Sequence, residues 1–143
     1  MIAGYWQFWA VLSAVFAAMT AILAKLGVAG VNSDFATLVR TAVILPVLGM
    51  IVLFTGQWQS PSSVNGKTWL FLGLSGLATG ASWLCYFRAL KLGDASKVAP
   101  LDKMSVVLVA LFAAAFLGER LTLPNWLGVF LIAAGTVLVA YRG

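Results

Sequence analysis

Histidine is absent from this chain of 143 residues, so no histidine metal site and no histidine proton relay is available to it. Cysteine occurs once, at Cys85, which excludes an internal disulfide and leaves the redox compartment open. Cys85 lies in an apolar stretch, where a small packing residue is the simplest reading. Charge is scarce as well: charged residues make up 9% of the chain, against roughly 25% in ordinary globular domains. The net charge of +5 comes from nine basic and four acidic residues, too sparse for the basic patch of a nucleic-acid binder. No nucleic-acid partner is therefore expected. The first residues, MIAGYWQFW, lack a basic n-region, so a cleaved signal peptide is not expected either. Nor is there a nucleophile beside a base, a carboxylate pair at catalytic spacing or a phosphate loop, and nothing argues for an enzyme.

What the chain has is hydrophobicity, at 62% of its residues. It is gathered into five long apolar stretches, each about 20 residues, the length of a helix that crosses a bilayer. The fold class read from this is all-α, a polytopic integral membrane protein with five transmembrane helices. The spans are placed at about 6–28, 35–54, 68–90, 96–117 and 123–141, within one domain over 1–143. Gly27 and Gly30 end the first span, and Asn32 or Ser33 caps the second. Pro46 falls inside the second span as a kink. Ser60, Pro61, Asn65 and Gly66 mark a loop. Gly93 stops the third span, Asp94 or Ser96 caps the fourth, and Pro100 is tolerated near its start. Gly118, Glu119 and Arg120 make a short turn, with Glu119 and Arg120 a solvated pair or helix-end cap. Thr122 caps the fifth span. Trp6, Trp9, Trp58, Trp69, Trp126 and Tyr141 fall near span ends, as an interfacial aromatic belt does.

Five crossings put the two ends of the chain on opposite sides. One side receives the first loop, the third loop and the C-terminus, with Lys25, Arg40, Arg88, Lys91, Lys97, Lys103 and Arg142 nearest. The other side has Lys67 and Arg120. Seven basic residues against two favour the first side as cytoplasmic, with the N-terminus outside.

Polar residues inside the spans are the candidates for function. Ser75, Thr79, Ser82 and Tyr86 follow i, i+4, i+7 and i+11, one face of the third helix. Gly76, Gly80 and Trp83 run beside them. Two readings stand: a helix facing a solute pathway with Trp83 and Tyr86 as an aromatic wall, or close helix packing through Gly76 and Gly80. Ser13, Ala17, Thr20 and Ala24 make a similar small face on the first span, where packing is the simpler reading. Gly128 and Gly135 on the fifth suggest packing or dimerisation. Asp102 and Lys103, roughly 10 Å into the fourth helix, point about 100° apart and are poor partners for each other. A charge at the bilayer centre costs at least about 2.5–3.5 kcal/mol. Asp102 therefore needs a cation or water, and Lys25, Arg40 and Arg88 approach from the same side. The charge cluster Lys25, Arg40, Arg88, Asp102 and Lys103 is either a structural network or a substrate or coupling-ion site.

The segment from Ala89 to Leu101, ALKLGDASKVAPL, resembles the boundary between the third and fourth helices of EamA-domain proteins in the drug/metabolite transporter superfamily. Phe116–Leu121 (FLGERL), Trp126-Leu127-Gly128 and Leu131–Gly135 (LIAAG) are similar to that family's most recognisable stretch. The resemblance implies a half-unit of a ten-helix fold, in which two inverted five-helix units form one transporter. It implies export of small solutes or metabolites across the bacterial inner membrane without a cofactor. It also implies that the first, third and fourth helices surround the pathway. On this sequence the lining is then Ser13, Thr20, Ser75, Thr79, Ser82, Trp83, Tyr86, Asp102 and Ser105. One unit here means that the second comes from a homodimer partner or another five-helix protein. Inverted identical chains would need insertion both ways, as in the small multidrug resistance proteins, and the charge count opposes that. A non-transporting assembly or regulatory subunit is the alternative. The orientation is testable: Ser62→Cys should label from outside and Gly93→Cys only after permeabilisation. Equal labelling of both from outside would reject one fixed orientation.

Overall fold

The computed structural model describes residues 5–141; the first four residues, read above for a leader, and Arg142 lie outside them. Helix α1 spans Trp6–Val28, α2 Ser33–Phe54, α3 Gly66–Leu92, α4 Ala95–Leu117 and α5 Leu123–Ala140. All five are long and apolar enough to cross a membrane. No strand occurs among the described residues. Large apolar side chains face outward along these helices: Leu45 is 73% exposed and Phe130 67%. The buried apolar residues among those described are Ala21, Val28, Phe87, Leu90 and Ala113. In water such a surface would drive association; in a bilayer it is the surface that hydrocarbon wets, and backbone groups are satisfied within each helix.

The chain divides into two compact units, one being Leu23–Lys91 and the other the chain up to Ile22 together with the chain from Leu92 onward. In the first of these, the end of α1, the α1–α2 turn and the end of α3 are held by lysines on backbone carbonyls. Lys25 Nζ donates to Leu90 O at 2.7 Å, and Lys91 Nζ donates to Val31 O at 2.7 Å. Leu90 O is one of the last carbonyls of α3, which have no partner within the helix and attract a cation. Leu90 and Val28 are fully buried at this end.

In the other unit α4 packs along α5. Buried Thr136 on α5 donates to Ala133 O at 2.8 Å and reaches Met104 Sδ on α4 at 2.9 Å. The fourth span, expected to be continuous, is interrupted at Lys103 between Ala95–Asp102 and Met104–Phe112. A proline stands three residues before it. Pro100 has no N–H and its ring crowds the preceding turn. Three residues later the chain closes with a tighter bond, Lys103 N to Pro100 O at 2.9 Å. The last turn of α4, Ala113–Leu117, is a wide π turn. It ends on Gly118 at φ 68°, where the N–H groups of Gly118 and Glu119 both donate to Ala113 O. A left-handed residue at this place favours glycine. By contrast, α2 runs through Pro46 without interruption.

The helix starts differ in how they are capped. Asn32 Oδ1 accepts from Asp34 N at 2.8 Å and Phe35 N at 3.3 Å. Asn65 Oδ1 accepts from Lys67 N at 2.7 Å and Thr68 N at 3.3 Å. Asp94 and Thr122 stand at the cap positions expected of them, but neither side chain makes a capping bond. Asn32→Ala or Asn65→Ala should therefore cost about 1 kcal/mol of stability, while Thr122→Ala and Asp94→Ala cost little. Thermal unfolding in detergent separates them, and equal losses at all four positions would contradict the assignment.

Candidate functional site

In the unit formed by Leu23–Lys91 the polar face of α3 leads toward a cluster of charge and aromatic rings. Ser75, Thr79 and Ser82 are exposed on α3. Thr79 Oγ1 donates back to Ser75 O at 2.9 Å, which occupies its proton within the helix. A Cβ placed on Gly76 or Gly80 would meet nothing within 4 Å, so the close helix approach that their spacing permits is not made by a described neighbour. Gly128 and Gly135 on α5 are equally open.

Further along α3, Trp83 and Tyr86 are half-buried and Phe87 is buried. Tyr86 and Phe87 meet edge to face at 6.5 Å. Over these rings lies Arg40 of α2, with its guanidinium carbon 4.4 Å from the Trp83 centroid and 5.6 Å from that of Phe87. Arg40 lies about 10 Å along α2 from Ser33, and Trp83 about 13 Å back from the end of α3, at roughly 1.5 Å per residue. A cation over an aromatic face gains up to about 2 kcal/mol when desolvated. A guanidinium at the centre of the bilayer costs about 2.5–3.5 kcal/mol on insertion scales. The stack thus offsets much of the cost of a guanidinium within a span, though not all of it.

Nearer the end of α3, Arg88 grips Asp34 of α2 with two bonds, Nε to Oδ1 at 3.0 Å and Nη2 to Oδ2 at 2.7 Å. Ser33 Oγ donates to the same Oδ1 at 3.3 Å. Two parallel N–H···O bonds are the strongest arrangement an arginine makes with a carboxylate. Asp34 and Phe87 were not foreseen as site residues. The acidic residue follows directly on a helix-capping signal, which is sufficient reason for it in sequence. Its partner is 54 residues away, a pairing that no local pattern encodes.

Of the cluster expected from sequence, Lys25, Arg40 and Arg88 thus lie in one unit, each with its own neighbour. Asp102 and Lys103 lie in the other and bond to each other, Nζ to Oδ2 at 3.2 Å. This corrects the expectation that they are poor partners. Adjacent residues point apart only on an unbroken helix, and the chain breaks at Lys103, whose ψ is −3°. Ser105 is exposed just past this break. On α1, Ser13 is exposed and Thr20 half-buried. Among the described residues no group of three or more histidine, cysteine, aspartate or glutamate residues is placed to hold a metal.

The profile of the EamA-like transporter family matches residues 4–141. A Sinorhizobium sp protein described as an uncharacterized transporter in the cobO 3' region is 70% identical over 135 residues, which are 94% of this chain and 96% of that protein. A Yersinia pestis (strain Pestoides F) protein is 32% identical over 86 residues, covering 59% of this chain and 75% of its own length. It is named probable 4-amino-4-deoxy-L-arabinose-phosphoundecaprenol flippase subunit ArnE. No solved structure matches significantly. Five membrane-length helices, polar groups set within them and a family match along nearly the whole chain agree: this is an integral membrane protein of the EamA-like transporter family.

Proposed function

We propose that the chain is one five-helix unit of an alternating-access exporter for small solutes or metabolites, with its binding site near the bilayer midplane. The observation that carries this is the match to a transporter family over residues 4–141. The polar face of α3, which runs toward charged groups set within the spans, supports it. Polar and ionisable residues are costly in a bilayer and usually mark a pathway. The lining proposed is Ser13, Thr20, Ser75, Thr79, Ser82, Trp83, Tyr86, Asp102 and Ser105. Asp102, at the break in α4, is the proposed site of proton or ion coupling. A broken helix exposes backbone groups to a cavity, as in many transporters.

The membrane is taken to be a bacterial inner membrane, in keeping with the bacterial relatives. The N-terminus lies outside and the C-terminus in the cytoplasm, as the basic residues favour. A second five-helix unit completes the pathway, from a homodimer partner or another protein. The open glycine faces on α3 and α5 are suited to closing against it.

One observation favours a second reading. The Yersinia pestis relative is named as a subunit of a flippase. This chain would then serve as an assembly or regulatory subunit that moves solute only with a distinct partner. Flux from the purified chain alone in proteoliposomes discriminates the two: uptake supports a homodimeric transporter and its absence supports the subunit reading. Where flux is present, Asp102→Asn should reduce coupled uptake by roughly tenfold or more, the scale of losing a charge-assisted contact, with the helical content unchanged. Full retained uptake would reject the coupling role.

A further inference from the structure

We propose that Arg40 anchors an oxyanion, phosphate or carboxylate, carried by the molecule that this transporter binds. This deepens the transport reading and rests on it for the role of the anion as cargo.

The starting observation is how the neighbouring cations are satisfied. Lys25 has Leu90 O, Lys91 has Val31 O, and Arg88 has both oxygens of Asp34. Arg40 lies over the faces of Trp83 and Phe87 with Tyr86 beside it, and makes no ion pair with a carboxylate among the described residues. Its own unit offers no unpaired one. Residues 23–91 contain five basic residues, Lys25, Arg40, Lys67, Arg88 and Lys91, against the single carboxylate of Asp34. That carboxylate is already held by Arg88 and Ser33. The unit is therefore short of anions at the place where one would be most stabilising.

Geometry points the same way. A guanidinium is flat, and its N–H donors lie in the plane. Trp83, with its ring centroid 4.4 Å from the guanidinium carbon, offers those donors a π face and no oxygen. Contact with Trp83 and Phe87 restricts the side chain before any ligand arrives, which lowers the ordering cost of binding. The spacing of its forked N–H donors fits two oxygens of a carboxylate or phosphate. A cationic solute would be repelled by the same surplus of charge. The oxyanion has two sources, a lipid headgroup that reaches Arg40 from within the membrane or a water-soluble solute.

The test uses the full chain, purified in a neutral detergent and titrated calorimetrically. Dodecyl phosphate and dodecanoate represent the lipid-borne source, and inorganic phosphate and acetate the soluble one. The wild type should bind at least one probe. Arg40→Gln should weaken that binding about tenfold or more, the usual scale for a charge-assisted contact. Preference for the dodecyl probes assigns the site to a headgroup, and equal binding of the short anions assigns it to a soluble solute; either supports the proposal. Binding of no probe, or unchanged affinity in Arg40→Gln, overturns it. Should Arg40→Gln not remain monodisperse, Arg40→Lys decides. It keeps the charge but loses the fork, so weaker binding supports the proposal and equal affinity overturns it. Flux separates this proposal from the transport reading. Arg40-dependent binding without flux keeps the anion site and rejects transport by this chain. Flux with binding indifferent to Arg40 does the reverse.

Discussion

A charge placed in a bilayer must find an answering group, and the few charges of this chain organise what surrounds them. The helices themselves are featureless hydrocarbon surfaces over most of their length. Around Lys25, Lys91, Arg88 and Arg40 a backbone carbonyl, a carboxylate or a ring has been brought up. Lys25 meets a carbonyl at the end of α3 and Lys91 one in the α1–α2 turn, groups that would otherwise be left unmet. Arg88 and Asp34 fasten α3 to the start of α2 with two bonds. Arg40 rests on Trp83 and Phe87. At this end such directional contacts act beside the buried Val28, Phe87 and Leu90 to hold the α1–α2 turn to α3. Hydrocarbon tails compete equally well for an apolar side chain, so polar contacts carry the specificity of packing.

The two units use this rule differently. In the unit of residues 23–91 the charges lie near the end of α3 and reach across the chain. In the other, Asp102 and Lys103 pair locally at an interruption in α4. That break is itself a functional feature of membrane proteins, because irregular backbone in a span must be covered by protein or line a cavity. An acidic residue at such a place is the natural candidate for coupling. An arginine with an aromatic floor and no carboxylate is the natural candidate for recognition. On the proposals made above, the two charged features would divide the work of a transporter between them.

Much of the fold was legible in the sequence because bilayer thickness dictates span length. Trp6, Val28, Phe54 and Leu117 end helices where the apolar stretches end. Gly93 separates α3 from α4, as a helix stop does. The site was legible only in part. Arg40 and Trp83 were both singled out, one as a charge and the other as an aromatic wall, but nothing in their spacing joins them. Their contact crosses from α2 to α3. Asp34 was overlooked because its position beside a cap explains it locally. The interruption at Lys103 was overlooked because proline in a first turn is usually tolerated, whereas Pro100 lies beyond that turn. Each miss concerns tertiary or backbone detail that a hydropathy pattern does not carry.

The proposed solute path requires one face of α3 to meet water inside the membrane while the other meets lipid. Cysteine scanning with a small, membrane-impermeant thiol reagent measures it directly, with Cys85 replaced by alanine. A solute path along α3 predicts reaction at Ser75→Cys, Thr79→Cys and Ser82→Cys, and none at Leu70→Cys and Leu77→Cys. Silence at the three polar positions, or equal reaction on both faces, would contradict it.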